Sequence, residues 1–332
     1  MIANPCNPTS DPIVNRIVRL GLTLVLVVNT TALFAGDPSI VLAPDDQRLG
    51  RLKELTDYFP FDPPETKEEW VQRAEKLRRR LLVAQGLWPL PTRSTLNAVV
   101  HGKLVKDDYT IEKVYFEGMP GFFVTGNLYR PLDRAGRLPG VLCPHGHWAD
   151  GRFHDVDKVE LKRQLASGAE KFQQAGRSPM QARCVQLARM GCVVFHYDMI
   201  GYADSKQLTH RVTHGFPQVR PEMDKLTDWG LFSPQAESHL QGVMGLQTYS
   251  SMRALDFLAS LPDVDRKRLA VTGASGGGTQ SFMVSAVDPR LAVSMPAVMV
   301  STSMQGGCTC ENCCLLRINA GNVDFAALFA PK

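Results

Sequence analysis

Ser275 stands in the run Gly273-Ala274-Ser275-Gly276-Gly277, and a serine so placed could carry acyl transfer. The run follows the apolar stretch 268–272 and opens a helix-like stretch at 279–287, so the serine falls where a strand turns sharply into a helix. The small neighbours matter because the backbone must bend under strain there while the hydroxyl stands clear of it. In such a turn the backbone N–H of the next residue, Gly276, faces the position where an oxyanion develops. Acyl transfer also needs a base, an orienting acid and a second oxyanion donor. The run Pro144-His145-Gly146-His147 ends an apolar stretch and contains a glycine that permits close approach, so the N–H of Gly146 or of His147 is the candidate second donor. The side chains of His145 and His147 could act directly, or could cap a loop or pack beneath the turn.

The base is the difficulty. Every histidine lies upstream of Ser275, His239 being the last, and the acids downstream of it are Asp288, Glu311 and Asp324. Of these, Asp288-Pro289 reads as a turn after a helix. On this pattern the sequence up to Lys332 is expected to hydrolyse esters at or near the uncatalysed rate.

The elements that would position these groups follow from hydrophobic periodicity. Residues 249–261 carry Met252, Ala254, Leu255, Phe257 and Leu258 at helical spacing, closed by Pro262-Asp263, and residues 291–300 are again apolar with Pro296 as an edge or exit. The order around Ser275 is therefore helix, strand, turn, helix, strand. Upstream, 138–143 and 192–197 read as strands and 180–190 as a helix, an alternation that predicts parallel crossovers. Short alternating runs over 97–130 predict antiparallel strands at one edge of the sheet. Thr66 and Glu69 form a capping-box spacing that opens a helix over 67–85, stopped by Gly86, Pro89 and Pro91. Two long polar stretches, 149–179 and 203–247, exceed ordinary connections and are either a cap facing substrate or decorative loops.

Bulk properties exclude some functions. The 332 residues are 44% apolar and 21% charged with a formal net charge of +4, sufficient for one large α/β core and without a basic stripe suited to nucleic acid. Arg16 and Arg19 precede the apolar stretch 20–35 and small residues at Thr30, Ala32, Ala35 and Gly36, the pattern of an export signal cleaved after Ala32 or Ala35. The expected layout is a signal at 1–35, a helical appendage at 36–95 and the catalytic domain at 96–332, with the mature protein periplasmic or secreted and not held in a membrane. Cys143 and Cys192 sit in apolar strand runs as small hydrophobes. Cys308, Cys310, Cys313 and Cys314 form a crowded C-x-C-x-x-C-C run, open to a disulfide, free thiols or a thiolate metal site. A four-thiolate site ordinarily pairs two separate elements and no second half is visible, so neither metal nor cofactor is expected.

Residues 255–265, 268–280 and 327–332 together resemble the acetyl xylan esterase and prolyl-oligopeptidase-like branch of the α/β hydrolases, dienelactone hydrolase relatives included. The resemblance implies an α/β-hydrolase fold, a mostly parallel central sheet with antiparallel N-terminal edge strands, and Ser275 as the nucleophile of a carboxylic-ester hydrolase acting on a small or polysaccharide ester. Residues 198–205 are similar to the stretch that follows the next strand in many such proteins, where the acid equivalent to Asp198 is structural. In that branch an Ala-Pro-Lys stretch such as 330–332 begins the strand that bears the catalytic acid, with the histidine beyond. The chain is accordingly expected to be C-terminally incomplete, lacking the final strands and helix and exposing apolar sheet surface. The alternatives are a peptidase of the prolyl-oligopeptidase type, for which the segment before Asn97 is too short to hold a propeller, and a hydrolase-like protein without catalysis.

Overall fold

The computed structural model describes residue 51 and residues 53–215 and 234–332. The expected export signal, its cleavage sites and the middle of the second polar stretch lie outside the described residues. Among the described residues no helix is long and apolar enough to cross a membrane.

Within the unit Lys53–Lys332 a seven-stranded sheet has the order β1-β2-β3-β5-β4-β6-β7. The strands are β1 (Val99–Val105), β2 (Tyr109–Met119), β3 (Phe122–Pro131), β4 (Leu138–Leu142), β5 (Val193–Tyr197), β6 (Val264–Ala274) and β7 (Leu291–Ala297). The first three pair antiparallel and β3 joins β5 antiparallel, whereas β5, β4, β6 and β7 run parallel. The two pairing regimes are those expected from the short alternating runs upstream and the strand–helix alternation downstream. All five residues of β5 are buried, as a central parallel strand covered on both faces requires, and all seven of β1 are exposed at the margin.

Helices cover the faces: α1 (Lys67–Ala84), α2 (Lys158–Ser167), α3 (Pro179–Arg189), α4 (Val243–Ser260), α5 (Gly276–Val287) and α6 (Asn322–Ala327). One core joins Phe116, Phe195 and Phe257 with Leu255, Leu258 and Val271 between the sheet and α4. The rings of Phe116 and Phe257 stack at 5.3 Å, and each buried side chain of this size stabilises by roughly 1.5–3 kcal/mol.

Thr66 caps α1 by accepting from the Glu69 N–H, and the Glu69 side chain answers from the Thr66 N–H, so the capping box forms as its spacing predicts. The buried face of α1, with Ala74, Leu77 and Leu81, packs on Met244, Phe282, Met283 and Phe325 from α4, α5 and α6. The helix stops at Gly86, whose φ of 66° suits glycine. At this helix end the α1 and α4 backbones touch: a Cβ on Gly245 would stand 1.9 Å from the Gln85 carbonyl oxygen. The segment preceding the sheet is thus packed into the helical layer that carries Ser275.

The stretch 149–179 is built rather than loose. It holds α2, capped by Asp157 accepting from Val159 and Glu160 N–H, and a short helix at Gln173–Arg177. A backbone bond from Val156 to Arg177 and an Asp155–Arg177 ion pair close its base.

Candidate active site

Ser275 lies between β6 and α5 with φ 56° and ψ −127°, a conformation that L-residues seldom adopt. Such a residue costs on the order of 1–3 kcal/mol unless its surroundings hold it. They do: its N–H donates to the Ala297 carbonyl (3.2 Å) and its carbonyl accepts from Thr279 N–H (3.0 Å). The glycines are needed by contact as well as by curvature. A Cβ on Gly273 would meet the carbonyl oxygens of Gly277 and Pro144 at 2.6 Å each, so the turn closes on itself and on the loop after β4.

That loop faces the serine. A Cβ on Gly146 would stand 2.7 Å from the Ser275 Cβ and 2.8 Å from the Ala274 carbonyl oxygen. Gly276 begins α5, where the first backbone N–H groups have no partner inside the helix and the helix end is electropositive. Ser275, Gly276, Gly146 and His147 therefore meet at the C-terminal edge of the parallel strands, the edge at which this kind of sheet binds ligands. The His147 ring lies over Gly276, its Cε1 3.0 Å from where a Cβ would be.

His145 and His147, two residues apart, have opposite environments. His145 is fully buried; its Nδ1–H donates to the Gly146 carbonyl (2.8 Å) and its Nε2 accepts from Met199 N–H (3.1 Å). Both nitrogens are occupied by a neutral ring, and burial pulls its pKa down to about 3. His145 thus ties the loop after β4 to the loop after β5. Asp198 does similar work: buried, it accepts from Arg152, from the Thr125 hydroxyl (2.7 Å) and from Asp204 N–H (3.2 Å). It holds a turn, as the sequence pattern implies.

The three acids downstream of Ser275 are spent on architecture. Asp288 chelates the Arg290 guanidinium. Asp324 pairs with Arg73 and accepts from Gly321 N–H (2.9 Å), fastening α6 to α1. Glu311 is buried beside the first turn of α5, accepting from the Thr279 hydroxyl (3.1 Å) and Gly307 N–H (3.0 Å). Among the described residues no side chain hydrogen-bonds the Ser275 hydroxyl.

The cysteine run divides. Cys313 turns into the core against α5, where burial pushes its thiol up to about 12. Cys308 and Cys310 instead turn towards His147 and His214. The His147 Nε2 is 3.0 Å from the Cys310 Sγ, and the His214 Nδ1 is 3.5 Å from the Cys308 Sγ. A hydrogen bond from Cys310, with further help from His147 and His214 and against the effect of burial, holds Cys308 far below the ordinary thiol value. Cys310 is driven up by that same bond and by burial. Burial works against the His147 cation, but Cys308 and Glu311 outweigh it and raise the imidazole above its usual value.

No family model matches the chain. Among solved structures it is similar to Methylesterase BT1017, at 26% identity and a TM-score of 0.57, covering 81% of this chain and 51% of that one. It also superposes on a structure from Bacteroides fragilis NCTC 9343, provisionally named an acetyl xylan esterase, with a TM-score of 0.58 at 14% identity over 83% of this chain and 71% of the other. The chain has an α/β-hydrolase fold. YtaP of Bacillus subtilis (strain 168), provisionally named a hydrolase, is 27% identical over 179 residues, which are 53% of this chain and 47% of that protein. The chain thus spans about half the length of YtaP and of Methylesterase BT1017.

Within this α/β-hydrolase fold, Ser275, Gly276, Gly146 and His147 are brought together and His145 is directed away. His214 was missed by sequence reading. It lies in the second polar stretch, and its signal was available only as one histidine among several. Two imidazoles from separate loops stand against Cys308 and Cys310, a juxtaposition that no spacing rule for paired C-x-x-C elements would find.

Proposed function

We propose that the protein is an exported serine hydrolase of carboxylic esters, forming an acyl-enzyme on Ser275 and acting on acetylated polysaccharide or a small ester. The observation that carries this reading is the strained Ser275 backbone at a strand-to-helix turn facing Gly146. The esterase names of similar structures support the substrate class. In the reaction Ser275 Oγ attacks the ester carbonyl as a base takes its proton. The oxyanion gathers at the Gly276 N–H and the N–H of Gly146 or His147, the alcohol departs with a proton, and water releases the acid from the acyl-serine.

The test is covalent labelling with a fluorophosphonate and assay on p-nitrophenyl acetate. Where a general base is supplied to Ser275, the adduct is expected on that serine, and Ser275→Ala is expected to lower turnover by at least about a thousandfold. Equal turnover in the variant would remove Ser275 from the mechanism. A second reading, a hydrolase-like protein without turnover, is favoured by the Ser275 hydroxyl lacking a hydrogen-bond partner among the described residues. A folded protein that neither labels nor hydrolyses would select it.

A further inference from the structure

We propose that His147, His214, Cys308 and Cys310 form a binding site for a thiophilic divalent cation of the zinc class. The inference does not depend on ester hydrolysis by Ser275. One donor atom from each of the four side chains lies within 4.8 Å of every other. Ligands about 2.0–2.3 Å from a tetrahedral zinc ion are about 3.3–3.8 Å apart, so the observed N···S distances of 3.0 and 3.5 Å need adjustments of only a few tenths of an ångström.

The surroundings point the donors inward. The His214 Nε2–H donates to the Ile200 carbonyl (2.6 Å), which fixes the tautomer and leaves the Nδ1 lone pair facing Cys308. Gly215 N–H donates to the Cys308 Sγ (3.2 Å), a bond suited to a ligating thiolate. Between the two cysteines, the Thr309 hydroxyl donates to the carbonyls of Thr213 and Gly215 (3.1 Å each), latching the cysteine segment to the strand of backbone that carries His214.

Donor chemistry selects the ion. Two sulfurs and two imidazoles suit zinc, while calcium and magnesium take oxygen ligands. The nearby carboxylate, Glu311, is committed to Thr279 and Gly307. On ligation both sulfurs bind as thiolates and His147 as a neutral ring, any proton still held by these groups passing to solvent, and the two thiolates balance the divalent charge. Four protein ligands make a closed site, which indicates a structural role. The ion would pin the loop after β4, the segment after β5 and the segment after β7 to one another beside Gly276, and would fix the His147 backbone, the candidate second oxyanion donor.

Metal content of protein purified under reducing conditions tests this, and about one zinc per chain is expected. Replacement by cobalt(II) should give thiolate charge-transfer absorption in the near ultraviolet and the d–d bands of a tetrahedral ion. Cys308→Ser/Cys310→Ser should lose both the zinc and the cobalt spectrum. Because that variant could fail to fold, the unmodified protein is also alkylated with iodoacetamide. Chelation should accelerate modification of Cys308 and Cys310, and added zinc should restore protection, while buried Cys143 and Cys184 stay unreactive throughout. The proposal is overturned by substoichiometric zinc with no cobalt spectrum, by stoichiometric zinc retained in a folded double variant, or by a Cys308–Cys310 disulfide in non-reducing peptide maps.

Discussion

Ser275 is held in its strained conformation by neighbours that have no room to give. A methyl group at Gly146 would press on Ser275 Cβ at 2.7 Å and on the Ala274 carbonyl at 2.8 Å, and a carbonyl cannot rotate away as a side-chain end can. Gly146→Ala is therefore expected to lower the melting temperature and to slow fluorophosphonate acylation of Ser275 by about tenfold or more, equivalent to about 1.4 kcal/mol in the barrier. Gly242→Ala, with nothing within 4 Å of the added carbon and an extended backbone, should leave acylation unchanged even if the melting temperature falls through loss of a favourable helix N-cap, which distinguishes crowding at Ser275 from loss of a glycine as such. His145 makes a second prediction. Its folded pKa, about 3, lies below the ordinary histidine value of about 6.5, so below pH ~6.5 the unfolded chain takes up a proton that the folded one refuses. Stability contributed by the neutral ring is complete above that value and falls by about 1.4 kcal/mol per pH unit as pH drops towards 3. His196, buried beside it and also pushed down by burial, adds in the same direction. Denaturant midpoints measured from pH 7 to 4 should decline; a flat profile would mean that these rings are protonated in the folded protein.

At the scale of elements, α1 joins local chemistry to the site. Its capping box satisfies N–H groups that the helix cannot satisfy for itself, and its apolar face rests on α5, the helix that Ser275 starts. Thr66→Ala is expected to cost about 1 kcal/mol in urea unfolding, with Thr66→Ser close to unchanged. This helix was legible because capping and 3.6-residue periodicity are both written in neighbouring residues. The strands around Ser275 were legible for the same reason, each being a short apolar run between turn residues, and the strained serine announced itself through its glycines. The predicted pairing of Gly146 with Ser275 came from their shared position at strand ends. The meeting of His214 with Cys308 could not be read, because it depends on how a long insertion folds back, and no periodicity encodes that path. Nor could sequence tell His145 from His147: burial of one and exposure of the other follow from which side of the loop faces β5.

For the whole molecule, both sheet margins expose apolar side chains. β1 ends one side with seven exposed residues, Val99, Val100, Leu104 and Val105 among them beside His101 and Lys103, and β7 ends the other with Val293 and Met295 exposed on one face. Among the described residues β7 pairs only with β6. Apolar side chains beside an open strand favour edge-to-edge association. Val293→Lys/Met295→Lys is therefore expected to shift light scattering towards monomer at high protein concentration, and unchanged scattering would show that this margin does not drive contact. The strand order also sets a timetable for synthesis. His147 and His214 leave the ribosome before the serine does, and the two sulfurs leave after β7. A nascent chain paused just past Ala297 has every described strand in hand but neither Cys308 nor Cys310, so the four donors of the proposed cation site can meet only after the described sheet has all its strands.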